Sequence, residues 1–321
     1  MERRRFLSGL GLGTALVSMR PSQAAAQAAP PTVGLLALGL PDPAPWFSGV
    51  QMALRGIGYV EGRTVQIELR SARGDHRRLS EMAVELAQLR VNAIVAFQTP
   101  AATSARDATA EIPIIMSGVG DPVGTGLVAS LSHPGGNVTG MSANAPGLAG
   151  KMVDMIRELL PAAGRFAALL NGADPFSKPL SEHIRMGADR NGMEVELRLA
   201  RPQEDFGAML GLVRQNGADA LFIQPTLVSK ALVDLALGHR LPTFSYSGAA
   251  LGVLATLIAS AKEQERGTAD YLDKILKGRR PTDLPVSQPT AFDLAINSKT
   301  AQALGLQIPL ALLARADEVI E

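Results

Sequence analysis

The sequence predicts an α/β protein of two doubly wound parallel-sheet lobes joined by a hinge. Three observations carry this. Short apolar runs, suited to strands buried on both faces, alternate with segments of helical periodicity, which is the rhythm of βαβ units. That rhythm starts twice, near residue 33 and near residue 165, without a repeat of the sequence itself. Between the two starts lies a zone rich in glycine and proline, residues 117–150, of the kind that marks turns and hinges. The chain has 321 residues, and at about 100–200 residues per domain it has room for two.

The elements follow in order. Val33-Gly34-Leu35-Leu36-Ala37-Leu38 is apolar throughout, as a strand covered on both faces must be. A helix is expected over residues 44–57. Residues 64–69 alternate Val65, Ile67 and Leu69 with polar side chains and read as a strand. Leu79, Met82, Ala83, Leu86 and Leu89 recur at helical spacing. Residues 93–97 form the next buried strand, 101–110 a helix and 112–116 a fourth strand. The zone that follows holds Gly118, Gly120, Asp121-Pro122, Gly124, Gly126, Pro134-Gly135-Gly136 and Asn137. A helix over 148–160 leads into the second half. There, strands at 165–170, 193–199, 218–223 and 242–244 alternate with helices at 180–191, 206–215 and 227–237. The tail departs from this rhythm. A helix over 261–277 ends at Gly278, an extended segment runs from 284 to 297 with Phe292, Leu294 and Ile296 alternating, and a short helix covers 300–304.

The first residues carry an address. Arg3, Arg4 and Arg5 precede Phe6 and Leu7, then comes a short weakly apolar stretch, then the small-x-small exits Ala24-Ala25-Ala26 and Ala26-Gln27-Ala28. Basic head, short apolar centre and small-residue exit are the parts of a secretory signal, expected here over residues 1–28. Arg-Arg-x-Phe-Leu matches the bacterial twin-arginine signal, and a basic head also suits the general secretory route. The apolar centre is far short of the roughly 20 residues that span a bilayer, and no later apolar run is long enough to span one. Loss of residues 1–26 removes four arginines and one glutamate, leaving 27 basic and 29 acidic residues. The expected location is the periplasm.

Composition excludes several functions. There is no cysteine, hence no disulfide, thiolate metal site, iron–sulfur cluster or cysteine nucleophile. Aromatic residues are 4% and the net charge is +1, which speaks against stacking on single strands and against a basic duplex-binding face. The four histidines, His76, His133, His183 and His239, stand apart from one another and suggest no metal site. There is no phosphate-binding Gly-x-x-x-x-Gly-Lys-Ser/Thr loop and no Gly-x-Ser-x-Gly elbow. Gly118-Val119-Gly120-Asp121-Pro122-Val123 fails the dinucleotide fingerprint at its third glycine. No cofactor or metal is implied.

Polar residues just past the strands are the candidates for a site, because open parallel sheets bind ligands outside the carboxyl ends of their strands. Gln98 and Thr99 follow the strand ending at Phe97. Thr99 suits an N-cap and Pro100 a first helical position, and the free N–H groups of that helix start suit an anion. Thr99 also serves simply as a cap. Ser117 and Asp121 follow the fourth strand; Asp121 either pairs with a ligand ammonium or starts a turn before Pro122. Asn171 and Phe176, Gln224 and Thr226, and Ser245 and Tyr246 follow strands of the second half. Trp46, the sole tryptophan, follows the first strand and is either a packing residue or a cleft residue.

Further segments point to a family. They are Gly58-Tyr59-Val60-Glu61-Gly62, Gly120-Asp121-Pro122-Val123, Pro134-Gly135-Gly136-Asn137-Val138-Thr139-Gly140, and Lys277-Gly278-Arg279-Arg280-Pro281-Thr282-Asp283-Leu284-Pro285-Val286. Gln288-Pro289-Thr290, Ile296-Asn297 and Ala303-Leu304-Gly305-Leu306 complete the set. With the Arg-Arg-x-Phe-Leu start, the chain resembles ABC-transporter substrate-binding proteins of the tryptophan/tyrosine type, which have a type I periplasmic-binding fold. One departure is Thr256-Leu257-Ile258, where members often carry Ser-Tyr-Gly; if this segment lines the cleft, the pocket is more apolar. The resemblance implies three crossings between lobes. Lobe one would hold residues 30–143 plus about 261–285, and lobe two 144–260 plus about 286–321. It also implies a monomer that is not an enzyme. Such a protein closes on a small carboxylate-bearing, amino-acid-like ligand and presents it to an ABC permease in the inner membrane. Two other readings are a periplasmic sensor serving a receptor and an enzyme on a similar fold. A repressor's ligand-sensing half is disfavoured, since an export signal stands where a DNA-binding domain would be.

Overall fold

The computed structural model describes residues 29–39, 42–201 and 205–321; the expected export signal lies outside the described residues. The first lobe contains β1 (Thr32–Ala37), α1 (Ala44–Gly56), β2 (Gln66–Ser71), α2 (His76–Gln88), β3 (Ala93–Phe97), α3 (Gln98–Ala108), β4 (Ile114–Val119) and β5 (Val138–Ser142). Its five strands are all parallel, in the order β2-β1-β3-β4-β5. The continuous apolar run of β1 is explained by cover on both faces. Val33 and Leu35 pack with Val50 and Leu54 of α1, while Leu36 packs with Leu79, Ala83 and Leu86 of α2. Gly34 permits that second approach: a Cβ there would lie 2.8 Å from a Leu86 methyl carbon. Asp75 caps α2 by accepting the N–H groups of Arg77 and Arg78.

The second lobe contains α4 (Ala145–Leu159), β6 (Arg165–Asn171), α5 (Ser177–Arg190), β7 (Glu194–Ala200), α6 (Phe206–Gln215), β8 (Ala220–Ile223), α7 (Lys230–Gly238), β9 (Thr243–Ser245) and β10 (Ala255–Ala259). The chain then forms α8 (Ala261–Leu276), which returns to the first lobe and packs Ala269, Leu272 and Ile275 with Val33, Val50 and Leu54. Val286 still belongs to the first lobe's core, and the Ser142 N–H donates to the Ser287 carbonyl at 2.9 Å. The rest of the tail joins the second lobe as β11 (Phe292–Asn297), α9 (Ser298–Leu304), α10 (Leu310–Leu313) and β12 (Glu318–Ile320). Its seven strands are ordered β12-β11-β10-β9-β8-β6-β7.

This second sheet is mostly parallel. The exception is the tail: β11 re-enters from the first lobe and pairs antiparallel with β10, Ala255 opposite Ile296, and β12 runs parallel to β11. Strand β5 lies inside the zone expected to be turns. Its Thr139, Gly140 and Ser142 lack the apolar look of a buried strand, yet all three are buried, and the Thr139 hydroxyl donates to the Leu284 carbonyl on the returning segment. Strands β10 and β12 and the single turn α10 were likewise not legible as elements. Among the described residues no helix is long and apolar enough to cross a membrane.

Candidate functional site: the cleft between the lobes

A cavity of about 280 Å³ lies between the lobes, at the carboxyl ends of β3, β4, β8 and β9. The first lobe supplies Asp42, Pro45, Trp46, Phe97, Gln98, Thr99, Ser117, Gly118 and Gly120. The second supplies Leu148, Asp174, Phe176, Gln224, Pro225, Thr226, Tyr246, Ser247 and Ile258. The crossing segments add Ala143, Ala145, Ala259, Ala261, Gln264 and Glu265.

On the first lobe, Trp46 stacks on Phe97 with centroids 4.6 Å apart and planes 19° apart. Its Nε1–H donates to Ser117 Oγ at 3.0 Å, and the Thr268 hydroxyl of α8 donates to the same oxygen at 3.0 Å. The indole is thus fixed at one edge and offers an apolar plate to the cavity. Gln98 turns the chain directly from β3 into α3 with φ +67°, a left-handed conformation uncommon for a side-chain-bearing residue and frequent at ligand clamps. Helix α3 has no side-chain cap. Thr99 is therefore not its N-cap as expected; it lies inside the first turn, where its Oγ1 accepts the Gly120 N–H at 3.4 Å. The first-turn N–H groups remain the positive end of the α3 dipole, beside the cavity.

On the second lobe, Asp174 is buried and accepts three hydrogen bonds. The Phe176 N–H reaches Oδ1 at 2.9 Å, and Gln224 Nε2 and Thr226 Oγ1 reach Oδ2 at 2.8 and 3.1 Å. Burial outweighs these bonds and pushes its pKa up to about 6. Gln224 Oε1 in turn accepts the Asn171 N–H at 2.9 Å and the Ser177 hydroxyl at 2.7 Å. Above this network Tyr246 meets Phe222 edge-on, with centroids 5.2 Å apart. The Tyr246 hydroxyl and Ser247 Oγ are buried with no hydrogen-bond partner among the described residues. Burial raises the tyrosine pKa well above its ordinary value.

The expected residues Trp46, Gln98, Thr99, Ser117, Phe176, Gln224, Thr226 and Tyr246 line the cavity. Three others do not. Asn171 stands one layer behind, donating from Nδ2 to Thr226 Oγ1 at 3.2 Å. Ser245 is fully buried in β9. Asp121 takes the turn role: its Oδ1 accepts the Gly124 N–H at 2.8 Å. Its Oδ2 lies 3.2 Å from His183 Nε2 on α5, a contact between the lobes at the edge of the cleft. Sequence reasoning missed Asp42, Asp174, Gln264 and Glu265. Asp174 carried a signal, lying just past β6 before Pro175. Gln264 and Glu265 carried none, because only the return of α8 brings them to the cleft. Of the Thr256-Leu257-Ile258 segment, Ile258 lines the wall. Among the described residues no group of three or more His, Asp or Glu could hold a metal ion.

The family model for the ABC transporter substrate binding protein matches residues 44–320. A tyrosine-binding protein of Clostridioides difficile is 29% identical over 267 residues, covering 81% of this chain and 76% of that protein. The ABC domain of Streptococcus pneumoniae in complex with L-Trp superposes with a TM-score of 0.82 at 27% identity, covering 91% of this chain and 100% of that one. The ligand-free, open structure of a Clostridium difficile substrate-binding protein with adhesive properties gives 0.65 at 25% identity, covering 90% and 99%. Two mostly parallel lobes around a cleft are the type I periplasmic-binding fold, and the chain belongs to the ABC transporter substrate-binding protein family.

Proposed function

We propose that this protein captures a carboxylate-bearing, amino-acid-like molecule in the periplasm and delivers it to the permease of an ABC importer. The observation that carries this reading is the cavity walled by both lobes, with Trp46 and Gln98 on one side and Phe176 and Tyr246 on the other. Contacts to both walls favour the closed arrangement, so binding shifts the population toward it. At similar identity and coverage, the fit to the L-Trp complex exceeds the fit to the open, ligand-free relative, which supports a closed-type arrangement of the lobes here. The start of α3 offers backbone donors and the positive end of its dipole to a ligand carboxylate. Trp46, Phe97, Phe176 and Ile258 suit an apolar side chain. The reading is of capture without chemistry, by a monomer without a cofactor, exported by the signal in residues 1–28.

Calorimetric titration of the mature protein with each of the 20 common L-amino acids tests this. Stoichiometric binding of at least one, at micromolar Kd or tighter and with a negative heat-capacity change, is expected. Binding of none, with native mass spectrometry showing a co-purified ligand that lacks a carboxylate, would refute it.

A further inference from the structure

The cavity contains three carboxylates, Asp42, Asp174 and Glu265, and among the described residues no Lys, Arg or His lines it. The three differ in their surroundings. Asp174 already accepts three donors, and Asp42 Oδ1 accepts the Ala44 N–H at 3.1 Å on the exposed rim. Glu265 is half-buried, and among the described residues its carboxylate has neither a hydrogen-bond donor nor a cationic partner. It sits in a slot left open by Gly49: a Cβ on Gly49 would fall 1.9 Å from Oε1 and 2.6 Å from Oε2. Any larger residue there would displace the carboxylate. Gly49 lies one helical turn after Trp46 on α1, so the slot opens beside the indole wall.

We infer that Glu265 receives a protonated nitrogen of the ligand, so that the cleft selects amines and zwitterions over the matching neutral or anionic molecules. An entering ammonium displaces solvent from this half-buried carboxylate and supplies an opposite charge and donors that no protein group among the described residues provides. Consistently, burial alone pushes the Glu265 carboxyl above its ordinary range. The absence of a basic side chain argues in the same direction: a ligand carboxylate must rely on the backbone donors of α3, while a cation meets a full opposite charge. The Tyr246 hydroxyl, buried in the same cavity, adds a second polar group with no protein partner among the described residues. This inference rests on the amino-acid reading for the ligand's second charge, and on the cavity alone for the first.

The test titrates the wild type and Glu265→Gln with the 20 amino acids, with L-tryptophan's desamino analogue indole-3-propionate, and with its decarboxylated analogue tryptamine. Glutamine keeps the shape in the Gly49 slot and removes the charge. The expected result is a loss of about 30-fold or more in affinity for whichever nitrogen-bearing probe the wild type binds. The affinity for indole-3-propionate stays within about threefold, and the melting temperature of the ligand-free variant does not fall. Tryptamine bound and every amino acid refused would refute the amino-acid reading while supporting Glu265 as the cation site. Equal binding of the nitrogen-bearing probe by both proteins, a preference of the wild type for indole-3-propionate, or a wild type that binds no nitrogen-bearing probe would each overturn the inference.

Discussion

Gly120 is a point of close approach between the lobes, and a single methyl group there tests closure. It follows β4 on the first lobe and faces the ring of Phe176 on the second. An added Cβ would lie 2.6 Å from Cζ, 2.7 Å from Cε2 and 2.8 Å from Cε1 of that ring. Carbon atoms in ordinary contact stand about 3.5–4.0 Å apart, so the ring must retreat by about 1 Å. Phe176 is only 6% exposed and packs with the core of the second lobe, which leaves the ring little room. Overpacking of this size costs about 1–3 kcal/mol. The contact joins opposite lobes, so the cost falls on the closed state and spares the open one. Gly120→Ala is therefore expected to weaken ligand binding by about 5- to 140-fold, at about 1.4 kcal/mol per factor of ten. Its ligand-free melting temperature should stay close to wild type. Adding Phe176→Leu, which shortens the ring side, should recover part of the loss. The assay is calorimetric titration with the amino acid that binds the wild type, alongside small-angle scattering for compaction. Wild-type affinity and compaction in Gly120→Ala would refute the reasoning that these residues meet on closure.

Three further outcomes are expected. Trp46 is the sole tryptophan and lines the cavity, so saturating ligand should change the intrinsic fluorescence of the protein; an unchanged spectrum at saturation would place the ligand elsewhere. Asp174 has a folded pKa raised to about 6 from 3.8, so the folded state holds the proton more tightly than the unfolded chain. Its contribution to stability is present below about pH 4 and is lost as pH rises through 6; the stability gap between wild type and Asp174→Asn should therefore shift against the wild type by about 2 kcal/mol between pH 4 and 7, and a gap flat across that range contradicts the assignment. Replacing Arg3 and Arg4 together with lysine should abolish export by the twin-arginine route, whereas normal periplasmic yield would assign export to the general secretory route.

The architecture was legible where strands are buried on both faces. β1, β3 and β6 announce themselves because helices on either side demand an unbroken apolar run. β5 hid because its cover comes partly from α8 and the returning segment, which bury Thr139 and Ser142 through hydrogen bonds instead of apolar contact. Among cleft residues, Gln98, Thr99, Gln224 and Thr226 were legible from the rule that ligands sit past the carboxyl ends of strands. Asp121 obeys the same rule and still does not line the cavity, because that rule locates a backbone position and says nothing of where the carboxylate turns. Gly124 N–H and His183 decide that direction here. Glu265 lies on a helix whose periodicity is ordinary. Its place in the cleft follows from the crossing of the chain between lobes, and the room for its carboxylate follows from the absent side chain of Gly49 on another helix.

The central claim is that one small ligand is held by both lobes at once. The most direct measurement is a crystal structure of the protein saturated with the amino acid that titration identifies. The account predicts ligand density in the cavity within contact distance of both Trp46 and Phe176, with the carboxylate toward the start of α3 and the ammonium toward Glu265. Density confined to one lobe, or bound away from this cleft, would contradict it.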